Sequence, residues 1–323
     1  MRKMLIKGKL IPAVLLTTAS MSLFTAGCGS GGPREAASLA EGSFSDSPIS
    51  AAVSVLPQGY FLEKVGGDRV EVTVVVPPGA SPATYEPSPS DMRAMSEAEV
   101  WFTVGVAFEE PWLPRFTGSN PDLRVVSTIS EIERRPVGRY SIESLDFDDV
   151  DGDRGHTHDE GSPDPHVWLS PELVRSQASV MARELAAIDP SAADFYIENL
   201  ESFQREIDSL QNGIHSLLDT LSGRSFMVFH PAWGYFADEF GLIQVPVESG
   251  GSEPSPGEMA LLVDYARANG ISTIFVSPQF STSSARAIAS EIHGEVSHLD
   301  PLARDWADNL LRVAERLAGR ESR

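Results

Sequence analysis

The chain has 323 residues, with 46 acidic against 25 basic side chains, a formal net charge of −21 and a single cysteine. So negative a balance argues against nucleic acid and anionic membrane surfaces as partners and favours the approach of cations, while one cysteine excludes a disulfide framework, so the core must hold by packing. The length suits two domains of ordinary size.

Arg2, Lys3, Lys7 and Lys9 precede an apolar run from Leu10 to Phe24, followed by Thr25-Ala26-Gly27-Cys28. A basic start, a short apolar stretch and small residues describe an export signal over 1–27, too short to be a stable membrane span. Cys28 stands at the expected cut. That position resembles a bacterial lipobox, whose cysteine becomes the lipid-modified first residue, although Thr25 stands where leucine is usual; the alternative is an ordinary secretory signal with a chance cysteine. Residues 28–48 are rich in Gly, Ser, Ala, Pro and Glu and read as a flexible tether.

From Ala51 the pattern alternates. Ala51 to Leu56, Val70 to Val76, Val100 to Val104 and Leu123 to Val126 read as strands bounded by proline or glycine, with helices over Tyr60 to Val65 and Ser88 to Ala98. Strand and helix in alternation predict a parallel sheet with helices on both faces, a first α/β lobe over 49–188. An acidic loop over 141–165 interrupts it, carrying Asp146, Asp148, Asp149, Asp151, Asp153, His156, His158, Asp159 and Asp164. Asp149, Asp151, Asp153 and Glu160 match positions 1, 3, 5 and 12 of a calcium-loop template, but Arg154 holds the position that needs glycine. The loop ends in Asp164-Pro165-His166-Val167-Trp168-Leu169-Ser170-Pro171, where a stiff backbone aims one imidazole, the commonest metal-binding side chain.

Glu172 to Ile188 reads as a helix. Beyond it Tyr196, Leu200, Phe203, Ile207, Leu210, Ile214, Leu217 and Leu221 recur at alternating steps of 4 and 3, one face of a long helix. At 1.5 Å per residue it spans roughly 45 Å, more than one small domain needs, so 189–222 is predicted to be a rigid strut between lobes; a coiled-coil dimer is the alternative. Alternation resumes over 223–323. Strands are expected at Ser225 to Phe229, Leu242 to Val247, Ser272 to Val276 and Glu295 to Leu299, with helices at Ala232 to Phe240, Pro256 to Asn269, Ser284 to His293 and Ala303 to Leu317. His230 and Asp300 each follow a predicted strand directly, the end at which open α/β sheets place ligands. His215 lies within the strut helix and is expected to be a surface or packing residue.

Several motifs together carry a resemblance: Pro77 to Asp91, with Pro78-Gly79-Ala80 at its head; Asp164 to Pro171; Phe229-His230-Pro231-Ala232-Trp233-Gly234-Tyr235-Phe236; Glu253-Pro254-Ser255-Pro256; and Leu299-Asp300-Pro301-Leu302. They span nearly the whole mature chain, which resembles the metal-binding solute-binding lipoproteins of ABC transporters, the group that includes zinc and manganese receptors. The resemblance implies two Rossmann-like α/β lobes joined by one long rigid helix, with one divalent metal held in the interlobe cleft and passed to a membrane permease. Its second, third and fourth ligands fall on His166, His230 and Asp300. Where the family has its first, a histidine, this chain has Ala83. Water, Glu86, or His156 or His158 of the loop are the candidates for that corner. A histidine at 230, where manganese receptors usually have a carboxylate, points to Zn2+ ahead of Mn2+, in keeping with zinc's preference for tetrahedral nitrogen-rich sites.

The expectation is therefore a monomeric receptor, anchored through Cys28 on the outward face of the membrane or in the periplasm, that binds a divalent metal and serves an ABC permease. It is not expected to be an enzyme. An open three-ligand zinc site also describes a hydrolase, but no His-Glu-x-x-His, Gly-x-Ser-x-Gly or phosphate loop accompanies it. A surface adhesin is the other alternative.

Overall fold

The computed structural model describes residues 47–137, 162–248, 251–280 and 282–320. In the first lobe β1 (Ile49–Val53), α1 (Leu56–Gly66), β2 (Val70–Val74), α2 (Pro89–Glu97), β3 (Val100–Thr103), α3 (Glu109–Ser119), β4 (Arg124–Ser127) and α4 (Pro171–Ile188) follow one another. Then comes α5 (Ala193–Leu218), 26 residues and about 39 Å long. The second lobe runs β5 (Ser225–Val228), α6 (Gly234–Glu239), β6 (Ile243–Pro246), α7 (Pro256–Ala268), β7 (Thr273–Val276), α8 (Ser283–Glu291), β8 (Glu295–His298) and α9 (Trp306–Leu317).

Three helix starts share one chemistry. Ser88, Ser170 and Ser255 each precede a proline and each turn their hydroxyl onto a backbone N–H of the first turn. At α2 and α7 the bond is returned: Ser88 N–H donates to Asp91 Oδ2 and Ser255 N–H to Glu258 Oε2, both at 2.7 Å. Proline at the first position gives up a donor that has no partner there, so these starts are strongly specified by sequence.

Both sheets are wholly parallel with the same strand order, β2-β1-β3-β4 and β6-β5-β7-β8. This matches the predicted pair of α/β lobes. In the first sheet the fork between β1 and β3 is sealed by Gln58 of α1. Its Oε1 accepts from Ser54 N–H at 3.0 Å, and its Nε2 reaches the Phe102 carbonyl and Thr128 Oγ1, both at 3.4 Å.

The core is largely shared. One cluster takes in β1, β3, α1, α4, α5 and α9 together with Phe226, Val228, Trp233, Phe236 and Phe275 of the second lobe. Met227 of β5 and Phe229 just beyond it instead join a smaller cluster under α7 and α8, as the two-residue period of extended chain demands. The apolar face of α5 is occupied within the chain: Tyr196, Phe203, Ile207, Ile214 and Leu218 are buried against the rest of this core. Trp306, at the start of α9, crosses back to the first lobe, its ring 5.0 Å edge-on from Phe61 and 6.3 Å from Phe203. Its Nε1 donates to the Trp168 carbonyl at 2.6 Å while Trp168 Nε1 donates to the Pro301 carbonyl at 2.7 Å. An apolar interface of this kind resists relative motion of the two sheets.

Gly234 opens α6 beneath the buried Arg135 guanidinium, which pairs with Asp238 at 3.3 Å. A Cβ there would run into that guanidinium, whereas one at Gly118 meets nothing within 4 Å. Gly234→Ala is expected to cost about 2 kcal/mol and Gly118→Ala to be neutral or stabilising by about 0.5 kcal/mol, as measured by denaturant unfolding.

Candidate metal site

His166 and His230 reach one cavity from opposite lobes. His166 follows the Asp164-Pro165 turn and introduces the short helical turn 167–169; His230 follows β5, whose neighbour Phe229 is still laddered to β7 through its N–H to the Phe275 carbonyl at 2.7 Å. The ring centroids are 5.2 Å apart. The cavity, about 170 Å³, is lined by these rings, by Ser81, Pro82 and Ala83, by Val106 and Ala107 beyond β3, and by Gln279, Phe280, Pro301 and Leu302.

Each imidazole is held by a buried carboxylate. His166 Nδ1 lies 2.7 Å from Asp164 Oδ1, which also accepts the His166 backbone N–H at 3.0 Å. Asp164 is fixed in turn, its N–H donating to the Arg135 carbonyl at 2.8 Å and its carbonyl accepting from Tyr235 Oη at 3.0 Å. His230 Nδ1 lies 2.7 Å from Glu248 Oε1, and Phe280 stacks on the ring at 4.4 Å. A carboxylate accepts only, so both neutral rings carry their proton on Nδ1 and keep the Nε2 lone pair for another partner, the arrangement that orients metal-binding histidines. Burial pushes the His230 pKa down, against the opposing pull of Glu248, which favours the neutral ring a metal requires.

Asp300 follows β8. Its Oδ1 accepts from Leu302 N–H and from Gln279 Nε2, both at 3.0 Å, and its carbonyl accepts from Asn309 Nδ2 at 2.8 Å. Oδ2 takes no hydrogen bond among the described residues. The two imidazoles are the pair brought together. Asp300 is not among the lining residues, though its neighbours Pro301 and Leu302 are, and among the described residues no three His, Cys, Asp or Glu side chains are grouped closely enough to hold an ion as they stand. Ala83 lines the cavity and is exposed; Glu86 is exposed and outside the lining. His215 is exposed on α5, 3.2 Å from Asp219. His156, His158, the calcium-template positions and Cys28 lie outside the described residues.

Sequence reasoning missed Asp164 and Glu248 as partners of the rings. Glu248 had a usable signal: like His230, it lies two residues past the end of a strand of the same parallel sheet. Asp164 was read only as the last acid of the loop. Gln279 and Phe280 carried none, since an amide and a phenyl after β7 are commonplace.

Residues 52–318 match the family model described as zinc-uptake complex component A, periplasmic (ZnuA). A manganese-binding lipoprotein MntA of Halalkalibacterium halodurans is 30% identical over 256 residues, 77% of this chain and 78% of that protein. The high-affinity zinc uptake system protein ZnuA of Yersinia pestis is 28% identical over 275 residues, 78% of this chain and 83% of that protein. A crystal structure of ZnuA superposes with a TM-score of 0.75 at 40% identity, covering 84% of this chain and 99% of the other.

Proposed function

We propose, from the premise that this chain belongs to the family of the periplasmic zinc-uptake complex component A, that it is the extracytoplasmic receptor of an ABC transporter, taking up zinc in preference to manganese and handing it to a membrane permease. Members of this family are transport receptors rather than enzymes, so the open-site hydrolase is set aside. Among the described residues no helix is long and apolar enough to cross a membrane. The receptor acts as a monomer, held at the membrane by a lipid on Cys28 and the tether over 28–48; mass spectrometry of the mature N-terminus tests the lipid.

The observation that carries the reading is the pair of imidazoles, 5.2 Å apart, each with Nδ1 tied to a buried carboxylate. His166 and His230 bind the ion through Nε2 and Asp300 through Oδ2, after the β8 loop closes on the cavity. Water, Glu86, or His156 or His158 supplies the fourth corner beside Ala83. The buried carboxylates raise ring basicity and spread the charge of the incoming cation. Metal analysis of the protein from residue 47 onward, followed by calorimetric titration with Zn2+ and Mn2+, tests this: one equivalent of zinc bound more tightly than manganese is expected, and a protein that takes up neither ends the reading.

A pH series adds a second check. The His230 pKa is lowered, so protons compete with metal there only below the ordinary imidazole value of about 6.5. Zinc affinity is therefore expected to be nearly flat from pH 8 to 7 and to fall steeply toward pH 5. The apo fold follows the same sign: below that ordinary value the unfolded chain binds a proton that folded His230 resists, so stability drops in acid. Equal affinity at pH 5 and pH 7.5 would remove the imidazoles from the site.

A further inference from the structure

The oxygen of Asp300 that faces Gln279 is already satisfied twice. Oδ1 accepts the Leu302 N–H and the Gln279 amide, each at 3.0 Å, while Oδ2 takes no hydrogen bond among the described residues. The other end of the Gln279 amide, Oε1, is buried and has no hydrogen-bond partner among the described residues, and the side chain lines the same cavity as His166 and His230. A buried acceptor left in that state is costly to the fold. A water carried on a bound cation is a donor that would relieve it.

Zinc favours four ligands in a tetrahedron, whereas manganese favours six, chiefly oxygens. A carboxylate that offers both oxygens raises the ligand count and the oxygen share; one that offers a single oxygen holds both down. We propose that Gln279 sets the metal preference of this site: by occupying Asp300 Oδ1 together with the Leu302 N–H, it confines the carboxylate to one metal-binding oxygen, and its own Oε1 accepts from the water on the corner left open beside Ala83. Gln279 is thus a positioning and specificity-determining residue that touches the ion only through Asp300 and that water. The inference rests on the receptor reading above.

The test compares the whole mature protein with Gln279→Met, which keeps the volume and removes both ends of the amide, and with Gln279→Ala should the methionine variant fold poorly. Competition titrations with Zn2+ and Mn2+ are read alongside the visible bands of the Co2+-loaded protein, which are strong for a four-coordinate ion and weak for a six-coordinate one. Zinc affinity is expected to fall about tenfold, as for other residues that orient a metal ligand, manganese affinity to stay level or rise, and the cobalt bands to weaken. Parallel loss of both metals with unchanged bands, the mark of general loosening, overturns the proposal and leaves the receptor reading standing. Wild-type protein that binds neither metal overturns both.

Discussion

Replacing His230 with alanine is expected to weaken zinc binding by roughly a hundredfold, while His215→Ala leaves it unchanged. A zinc site gains about 10–16 kcal/mol from all its ligands together, so with the proposed three protein ligands, losing one removes roughly 3–5 kcal/mol, a factor of about one hundred or more. His230 lines the cavity, 5.2 Å from the His166 ring, with its Nδ1 engaged by Glu248. His215 is exposed on α5 and pairs with Asp219 in its own helix. Competition against a chromophoric chelator measures both variants. Equal affinities would take His230 out of the site and leave its carboxylate partner without a purpose.

The second large effect is on stability. Trp306→Ala is expected to cost about 3–5 kcal/mol, the usual range for deleting a fully buried aromatic, and to lower Tm by roughly 10 °C. Trp306 is 1% exposed, and its ring lies among Phe61, Phe203 and Tyr60 at 5.0, 6.3 and 6.1 Å. Its indole N–H also supports the carbonyl of Trp168, two residues from His166. Zinc affinity should therefore fall with stability, because both walls of the cavity hang on this indole pair. Thermal unfolding followed by circular dichroism decides it; a drop of only a degree or two would mean that α9 docks independently of that ring.

Much of the fold could be read from the residues because its signals are local. Serine-proline helix starts, apolar strands ended by glycine or proline, and the 4-3 spacing of α5 each need only their neighbours to be interpreted. Helix α3 was missed for the same reason. Pro114 lies inside it, and proline marks a break unless packing outweighs it; here Phe116 meets Trp101 at 5.2 Å, a contact between residues on separate elements that no local pattern reveals. Pro57 misled in a milder way. From sequence it reads as the end of the first strand, but proline is also welcome in the first turn of a helix, and α1 begins at Leu56. The return of α9 to the first lobe was hidden too, since an amphipathic face shows that a helix is covered and not by what. At the site, the imidazoles stood out by residue type and by position after strands. The carboxylates behind them did not, because acids are abundant in this chain and only the fold tells which of them stand buried against a histidine.

The matching strand orders carry one last implication. A crevice exists twice in this architecture, once at the fork of each sheet, yet only the second is furnished with an imidazole. In the first, the Gln58 amide is bonded across the gap to Ser54, Phe102 and Thr128 and plugs it. The proposed metal station therefore has no twin in the first fork, where a bonded glutamine takes the space, and any attempt to install one there would have to begin by evicting it.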